Sequence, residues 1–195
     1  MIRINLILLF TFFWALPAFA EDNLIEKALH AIQGGGSAVT VPPPVSVEVA
    51  FSPDGGATDL VVKAIASARQ SVHVAAYSFT SRPIAKALAD AHKAGIEVQV
   101  VVDHEQVERR NHSIAGWLAS QGVPVRVDTM HALQHDKYMV VDGKTVETGS
   151  FNYTAAAEQH NSENVIVLWD APKLAAAYGA DWKSLWDAAE AYGGQ

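Results

Sequence analysis

"SVHVAAYSFTSRPIAKALADAHKAGIEVQVVVD", residues 71–103, reads as strand, helix, strand. Residues 71–79 form a short apolar run suited to a buried strand, and "IEVQVVVD" (96–103) is another. The stretch between them has helical spacing, with Ser81 placed as a cap and Gly95 as a stop. The same alternation extends outward. "VSVEVAFS" (45–52) is a strand, and a helix is expected over roughly 57–70. "SIAGWLASQG" reads as a helix and "VPVRV" as a fourth strand. "KYMVVDGKTVETGS" is a hairpin about Asp142-Gly143, because Asp-Gly between apolar runs favours a tight two-residue turn. "NYTAAAEQ" is a short helix, "ENVIVLWD" a last strand, and 171–191 a closing helix. The stripe Leu174, Tyr178, Trp182, Leu185 and Ala189 is read as core-facing rather than as a ligand box. Strands alternating with helices argue an α/β fold, a layered sheet with helices on both faces.

The chain has 195 residues, half of them apolar, enough for one compact domain with a sizeable core. Residues 1–20, "MIRINLILLFTFFWALPAFA", combine a basic start, an apolar run and an Ala18-Phe19-Ala20 ending. Those are the marks of a secretory signal peptide, so the mature protein is expected to be exported, periplasmic or secreted, with no stable membrane span. Residues 21–44 read as a short amphipathic helix (21–33) followed by a Gly/Pro-rich linker. The folded domain is placed at 45–195. There are no cysteines, which excludes disulfides, zinc-thiolate sites and cysteine nucleophiles. The formal charge is −7, so a polyanionic substrate would have to be met by a local cationic site.

The chemistry concentrates in "QHDKYMVVDGKTVETGSFN", residues 134–152. Side chains alternate faces in an extended segment, so His135 and Lys137 point the same way, about 7 Å apart along the strand. Gly149 permits a close bend, and Ser150 and Asn152 again share parity. An imidazole, a fixed cation and neutral donors suit a phosphodiester. The lysine and amide neutralise non-bridging oxygens, while the imidazole attacks phosphorus or moves a proton.

The pattern His135-x-Lys137-x4-Asp142-x6-Gly149-Ser150-x-Asn152 resembles the signature of the phospholipase D superfamily, and the α/β alternation extends the likeness over most of 45–191. Members with full phospholipase chains carry two copies; this chain carries one and looks most like the small bacterial endonuclease branch. The resemblance implies an α/β/α sandwich with a mixed, largely parallel central sheet flanked by helices. It also implies a phosphodiesterase needing no metal or cofactor, a covalent phosphohistidine on His135, and a second histidine that protonates the leaving oxygen. One motif supplies one histidine, so a twofold homodimer is expected, with His135 of each subunit on either side of one phosphate at the interface.

The family motif includes Asp142 as a site residue, but an aspartate at an Asp-Gly turn equally suits a structural role. The endonuclease branch has a glutamate at the position of Glu163, where it accepts a proton from the nucleophile's far ring nitrogen. The alternative is an ordinary strand-end charge. Ser150 and Asn152 either bind phosphate with Lys137 or cap the following helix. His131 and His135 have the spacing of a helical zinc pair, but Ala132 replaces the glutamate such a site needs and the surroundings are not helical, so no metal is expected. Asp103 and His104, with Arg109, Arg110 and His112 beyond them, follow the third strand at the sheet end where open α/β sheets bind ligands. The arginines and His112 either track a nucleic-acid backbone or form a solvated loop. His73 and His92 are assigned no special task. The leading substrate is DNA, with RNA a further candidate, cleaved without sequence preference. The alternative is a phospholipid headgroup ester, though no apolar loop insertion speaks for lipid binding. A binding module with a degenerate site is the third reading, and the filled motif argues against it.

Overall fold

The computed structural model describes residues 45–108 and 114–193. The expected leader, amphipathic helix and linker, together with Arg109, Arg110 and His112, lie outside the described residues. In chain order the elements are β1 (Ser46–Ser52), α1 (Ala57–Ala66), β2 (Ser71–Ala76), α2 (Arg82–Lys93), β3 (Glu97–Asp103) and α3 (His104–Glu108). There follow α4 (Ile114–Ser120), β4 (Val125–Asp128), β5 (Lys137–Val141), β6 (Thr145–Gly149), α5 (Ala155–Gln159), β7 (Glu163–Trp169), α6 (Pro172–Ala188) and β8 (Glu190–Ala191). The strands form one sheet in the order β1-β7-β6-β5-β2-β3-β4-β8.

Strand parity sets the two faces. Val72, Val74, Val98, Val100, Val102, Met139 and Val141 point into the larger core beneath α1, α2 and α4. Ala75, Val101, Tyr138, Val140 and Val146 point the other way, under α6. Helices on both faces make the α/β/α sandwich. In α2, Ile84, Ala85, Leu88 and Ala89 are buried, while Arg82, Lys86 and Asp90 stay in solvent. Ser81 occupies the N-cap position, but its hydroxyl makes no capping bond; Gly95, at φ 88°, provides the expected stop.

The sheet is mixed, but it is less parallel than expected. Only β2–β3 and β3–β4 pair parallel; the other five pairings are antiparallel. The reason lies in the connections. Parallel neighbours need a crossover, and helices supply it on either side of β3. After β4 the chain passes through a non-helical loop into β5, which runs antiparallel beside β2. The turn at Asp142 (φ 52°) and Gly143 (φ 60°) then returns β6 antiparallel, with both central residues at the positive φ of a tight hairpin turn.

The closing helix stops at Ala188, short of the expected 191. Glu190 and Ala191 form an edge strand against Val127 and Arg126 instead. Trp182, Leu185 and Ala189 are buried as expected, and the Trp182 indole donates to the Val74 carbonyl at 3.1 Å. Tyr178 is only half-buried and opens onto the cavity described below, so that stripe is not purely core. Among the described residues no helix is long and apolar enough to cross a membrane.

Candidate active site

His135 sits in the loop that links β4 to β5, and Lys137 is the first residue of β5. Four ties fix that loop. The fully buried Asp128 carboxylate accepts the Met130 amide at 3.0 Å and the His131 Nδ1–H at 2.7 Å. The fully buried Asp103 carboxylate accepts the Gln134 amide at 2.9 Å. The Tyr77 amide donates to the Asp136 carbonyl at 2.9 Å. Buried carboxylates persist only when hydrogen-bonded, so Asp103 and Asp128 both need this loop and hold it. Asp103 thus stands at the sheet end where open α/β sheets bind ligands, but its carboxylate is buried against this loop. The signal was present in the sequence, as an aspartate ending a largely apolar strand, "VQVVVD".

The two motif side chains meet. Lys137 Nζ donates to the His135 carbonyl at 2.6 Å and lies 3.1 Å from Nδ1 and 3.3 Å from Nε2 of the same residue. The His135 ring is exposed and packs against Tyr77, with centroids 4.4 Å apart. The Lys137 ammonium also lies 4.9 Å above the Tyr77 ring, a cation–π contact. Lys137 is only 9% exposed. Burial pushes its pKa down, and the charges of Asp136 and Glu163 partly restore it. A half-desolvated cation beside an imidazole interacts strongly with any anion that enters.

Gly149 shows why the motif needs glycine. A Cβ there would lie 2.1 Å from the Asn164 carbonyl oxygen, so only glycine lets β6 approach β7. Ser150 follows, donating to Glu163 Oε2 at 2.6 Å and accepting the Asn164 amide at 3.1 Å. The other Glu163 oxygen accepts from Asn161 at 3.0 Å. The Glu163 carboxylate is thus satisfied by neighbours across the Gly149 approach, not by the His135 ring as the resemblance implied. Its charge still reaches Lys137. Neither Ser150 nor Asn152 caps α5. That role belongs to Thr154, whose Oγ1 accepts the Ala157 amide at 3.0 Å. Asn152 is half-buried, and its Oδ1 is buried without a partner.

Asp142 is corrected from the catalytic set. It lies at the hairpin tip, the opposite end of β5 from Lys137. Its carboxylate accepts the amides of Arg69 (2.9 Å), Gln70 (2.8 Å) and Ser71 (3.0 Å). Burial opposes its ionisation, but those three bonds and the Lys144 charge outweigh it and hold the carboxyl below the usual aspartate range. Asp142 clips the hairpin to the start of β2 and touches nothing at the site.

His135, Lys137, Thr148 and Ser150 open into one cavity of about 630 Å³, bounded on the α6 side by Tyr178 and Asp181. Asp136 lines it too. Burial and the Asp181 charge raise its pKa, while Lys137, His135 and His131 lower it. Asp181 accepts the Tyr138 hydroxyl at 2.6 Å. Asp181 and Tyr178 were not identified from the sequence as site residues; they belong to the helix read only as core.

An α/β/α frame with a histidine and lysine at the head of its central antiparallel strand defines the class of protein. Residues 61–186 match the family described as "Cardiolipin synthase, PLD-like domain". The chain belongs to the phospholipase D superfamily. Its structure is similar to that of Nuc from Salmonella typhimurium, described as a phospholipase D family member, with 43% identity and a TM-score of 0.72, covering 76% of this chain and 99% of that one. NucT from Helicobacter pylori shares the fold at TM-score 0.70 and 24% identity, covering 76% of this chain and 99% of the other. A "Phospholipase D" of Rickettsia bellii is 36% identical over 138 residues, 71% of this chain and 68% of the relative.

Proposed function

We propose that the protein is an exported, metal-independent phosphodiesterase, an endonuclease that cleaves DNA, and also RNA, without sequence preference. The observation that carries this reading is Lys137 held against His135 in one cavity, on the frame of a chain 43% identical to Nuc. In the first step an unprotonated His135 ring nitrogen attacks phosphorus, a P–N bond forms and the P–O bond to the leaving group breaks. The leaving oxygen takes a proton from a second imidazole, His135 of an identical subunit related by a twofold axis. Water then attacks the phosphohistidine, gives its proton to that second imidazole, and the P–N bond breaks. Lys137 stabilises the non-bridging oxygens, whose charge grows in both transition states. The Asn152 side-chain NH2 is the neutral donor to the phosphate, Ser150 contributes once its hydroxyl turns from Glu163, and Glu163 supports the site by its charge. Phosphate contacts carry no base information, which suits cleavage without sequence preference.

A second reading, phospholipase D activity on a headgroup ester, is favoured by one observation. Asp136, Asp181 and the Tyr178 ring line the cavity beside His135. They oppose a neighbouring phosphate and suit an ammonium-bearing headgroup. Incubation of the purified protein with plasmid DNA and with phosphatidylcholine vesicles, both in EDTA, separates the readings. DNA cleavage without lipid turnover supports the nuclease, the reverse supports the phospholipase, and abolition of all turnover by EDTA contradicts both. His135→Asn abolishes turnover with the fold intact, and a base-stable phosphohistidine accumulates when single turnovers are quenched in alkali. Activity proportional to concentration down to dilutions where only monomer remains would contradict the shared site.

A further inference from the structure

A groove of about 1050 Å³ runs between α2 and α4, apart from the cavity at His135. We propose that it binds a single nucleic-acid strand flanking the scissile phosphate, an inference that rests on the nuclease reading above. The chain is acidic overall, at −7, so a polyanion needs a local row of cations. The α2 wall supplies one. Arg82, Lys86 and Lys93 line the groove. At 100° per residue, positions four and eleven residues after Arg82 return to within about 40° of its line, at rises of about 6 and 16 Å. The three cations therefore form a stripe along one helix face. One acid, Asp90, shares the groove, where it pairs with Lys86. Lys93 donates to Gln121, and no carboxylate among the described residues pairs with Arg82.

The opposite wall is apolar and aromatic. Trp117, 41% exposed, and Tyr192 line it. An indole left in solvent opposite a cation stripe is the arrangement that binds unpaired strands, with phosphates on the charges and bases stacked on the ring. Base stacking needs unpaired bases, which is why the occupant is a single strand.

Along the chain, the α2 wall begins a few residues after the segment that packs on His135. Ala76 at the end of β2 pairs with Lys137, Tyr77 packs on His135, and the Thr80 and Ser81 amides both donate to the Tyr153 carbonyl. Arg82 opens α2 immediately afterwards. A strand whose scissile phosphate lies at His135 can thus continue toward α2.

The test compares the full chain with Arg82→Gln/Lys93→Gln and with Trp117→Ala, each checked for an unchanged melting profile. Four substrates are used: a labelled single-stranded oligonucleotide, its duplex, phosphatidylglycerol vesicles, and bis(4-nitrophenyl) phosphate, whose lone diester cannot reach the groove. The double variant should raise KM for the single strand about tenfold or more. It should also lower the slope of log(kcat/KM) against log[salt] by about 1.4, at roughly 0.7 for each phosphate no longer neutralised. Trp117→Ala should weaken the single strand at least about fivefold and the duplex less. Turnover of bis(4-nitrophenyl) phosphate should not change. Wild-type DNA cleavage with the same KM and salt slope in the variants would overturn the groove and leave the nuclease reading standing. Turnover of the small diester without cleavage of either DNA would overturn both. Loss confined to phosphatidylglycerol vesicles in the variants would assign the groove to a lipid surface and overturn the proposal.

Discussion

Glu147, in the middle of β6, is 1% exposed, and among the described residues its carboxylate is hydrogen-bonded by the Tyr153 hydroxyl, which donates to Oε2 at 2.5 Å. Burial pushes the carboxyl up from 4.5 to about 8, and the Tyr153 bond only partly opposes that. The folded-state value lies above the unfolded one, so folding binds a proton between the two. The stability that protonated Glu147 contributes is complete below about pH 4.5 and is lost as pH rises toward 8. Each tenfold difference in proton affinity between the folded and unfolded chain corresponds to about 1.4 kcal/mol, so the whole window amounts to roughly 4–5 kcal/mol as an order of magnitude. The site feels this loss. Tyr153 follows Asn152 directly, and its carbonyl holds the Thr80 and Ser81 amides. Glu147→Gln keeps the shape and an acceptor for Tyr153 but cannot ionise. Urea unfolding at intervals from pH 5 to 9 should show wild type losing up to about 1.4 kcal/mol per pH unit relative to the variant within the window, and a constant difference above it. Parallel stability profiles for the two proteins across pH 5 to 8 would refute the reasoning.

Asp142→Ala should leave kcat unchanged while costing about 1–2 kcal/mol, because three backbone amides at the start of β2 lose their acceptor to partial solvation. The Asp142 carboxyl is held low, so its contribution is present above the ordinary aspartate pKa and is lost as pH falls; acid unfolding of wild type against Asp142→Asn measures it. Asp103→Asn should lower kcat more than it raises KM, since a shift of about 1 Å in the His135 loop costs on the order of 10²-fold; matched single-substrate kinetics and melting curves decide it. Gly149→Ala should cost on the order of 2–4 kcal/mol, because the new methyl meets a backbone carbonyl that cannot turn aside, and the melting temperature reads this directly.

Some of this protein was written in short stretches of sequence. The β2-α2-β3 unit is legible because strand and helix periods differ and Gly95 ends the helix. The Asp142-Gly143 turn is legible because few residues accept positive φ at both positions. His135 and Lys137 are legible as a pair two positions apart at the head of a strand, although His135 itself lies in the loop before β5 and the ties of that loop bring the two side chains together. Those features depend on covalent neighbours. Sheet order, the dominance of antiparallel pairing and the partners of each carboxylate were decided only by tertiary structure. Asp142 finds Arg69 to Ser71, Asp103 finds Gln134, and Asp181 on α6 finds Tyr138 on β5, each across more than thirty residues. A carboxylate in the sequence looks the same whether it will hold a loop, clip a hairpin or face a substrate. Which it does is set by the donors that burial leaves within reach once the strands are ordered, and no local pattern carries that information.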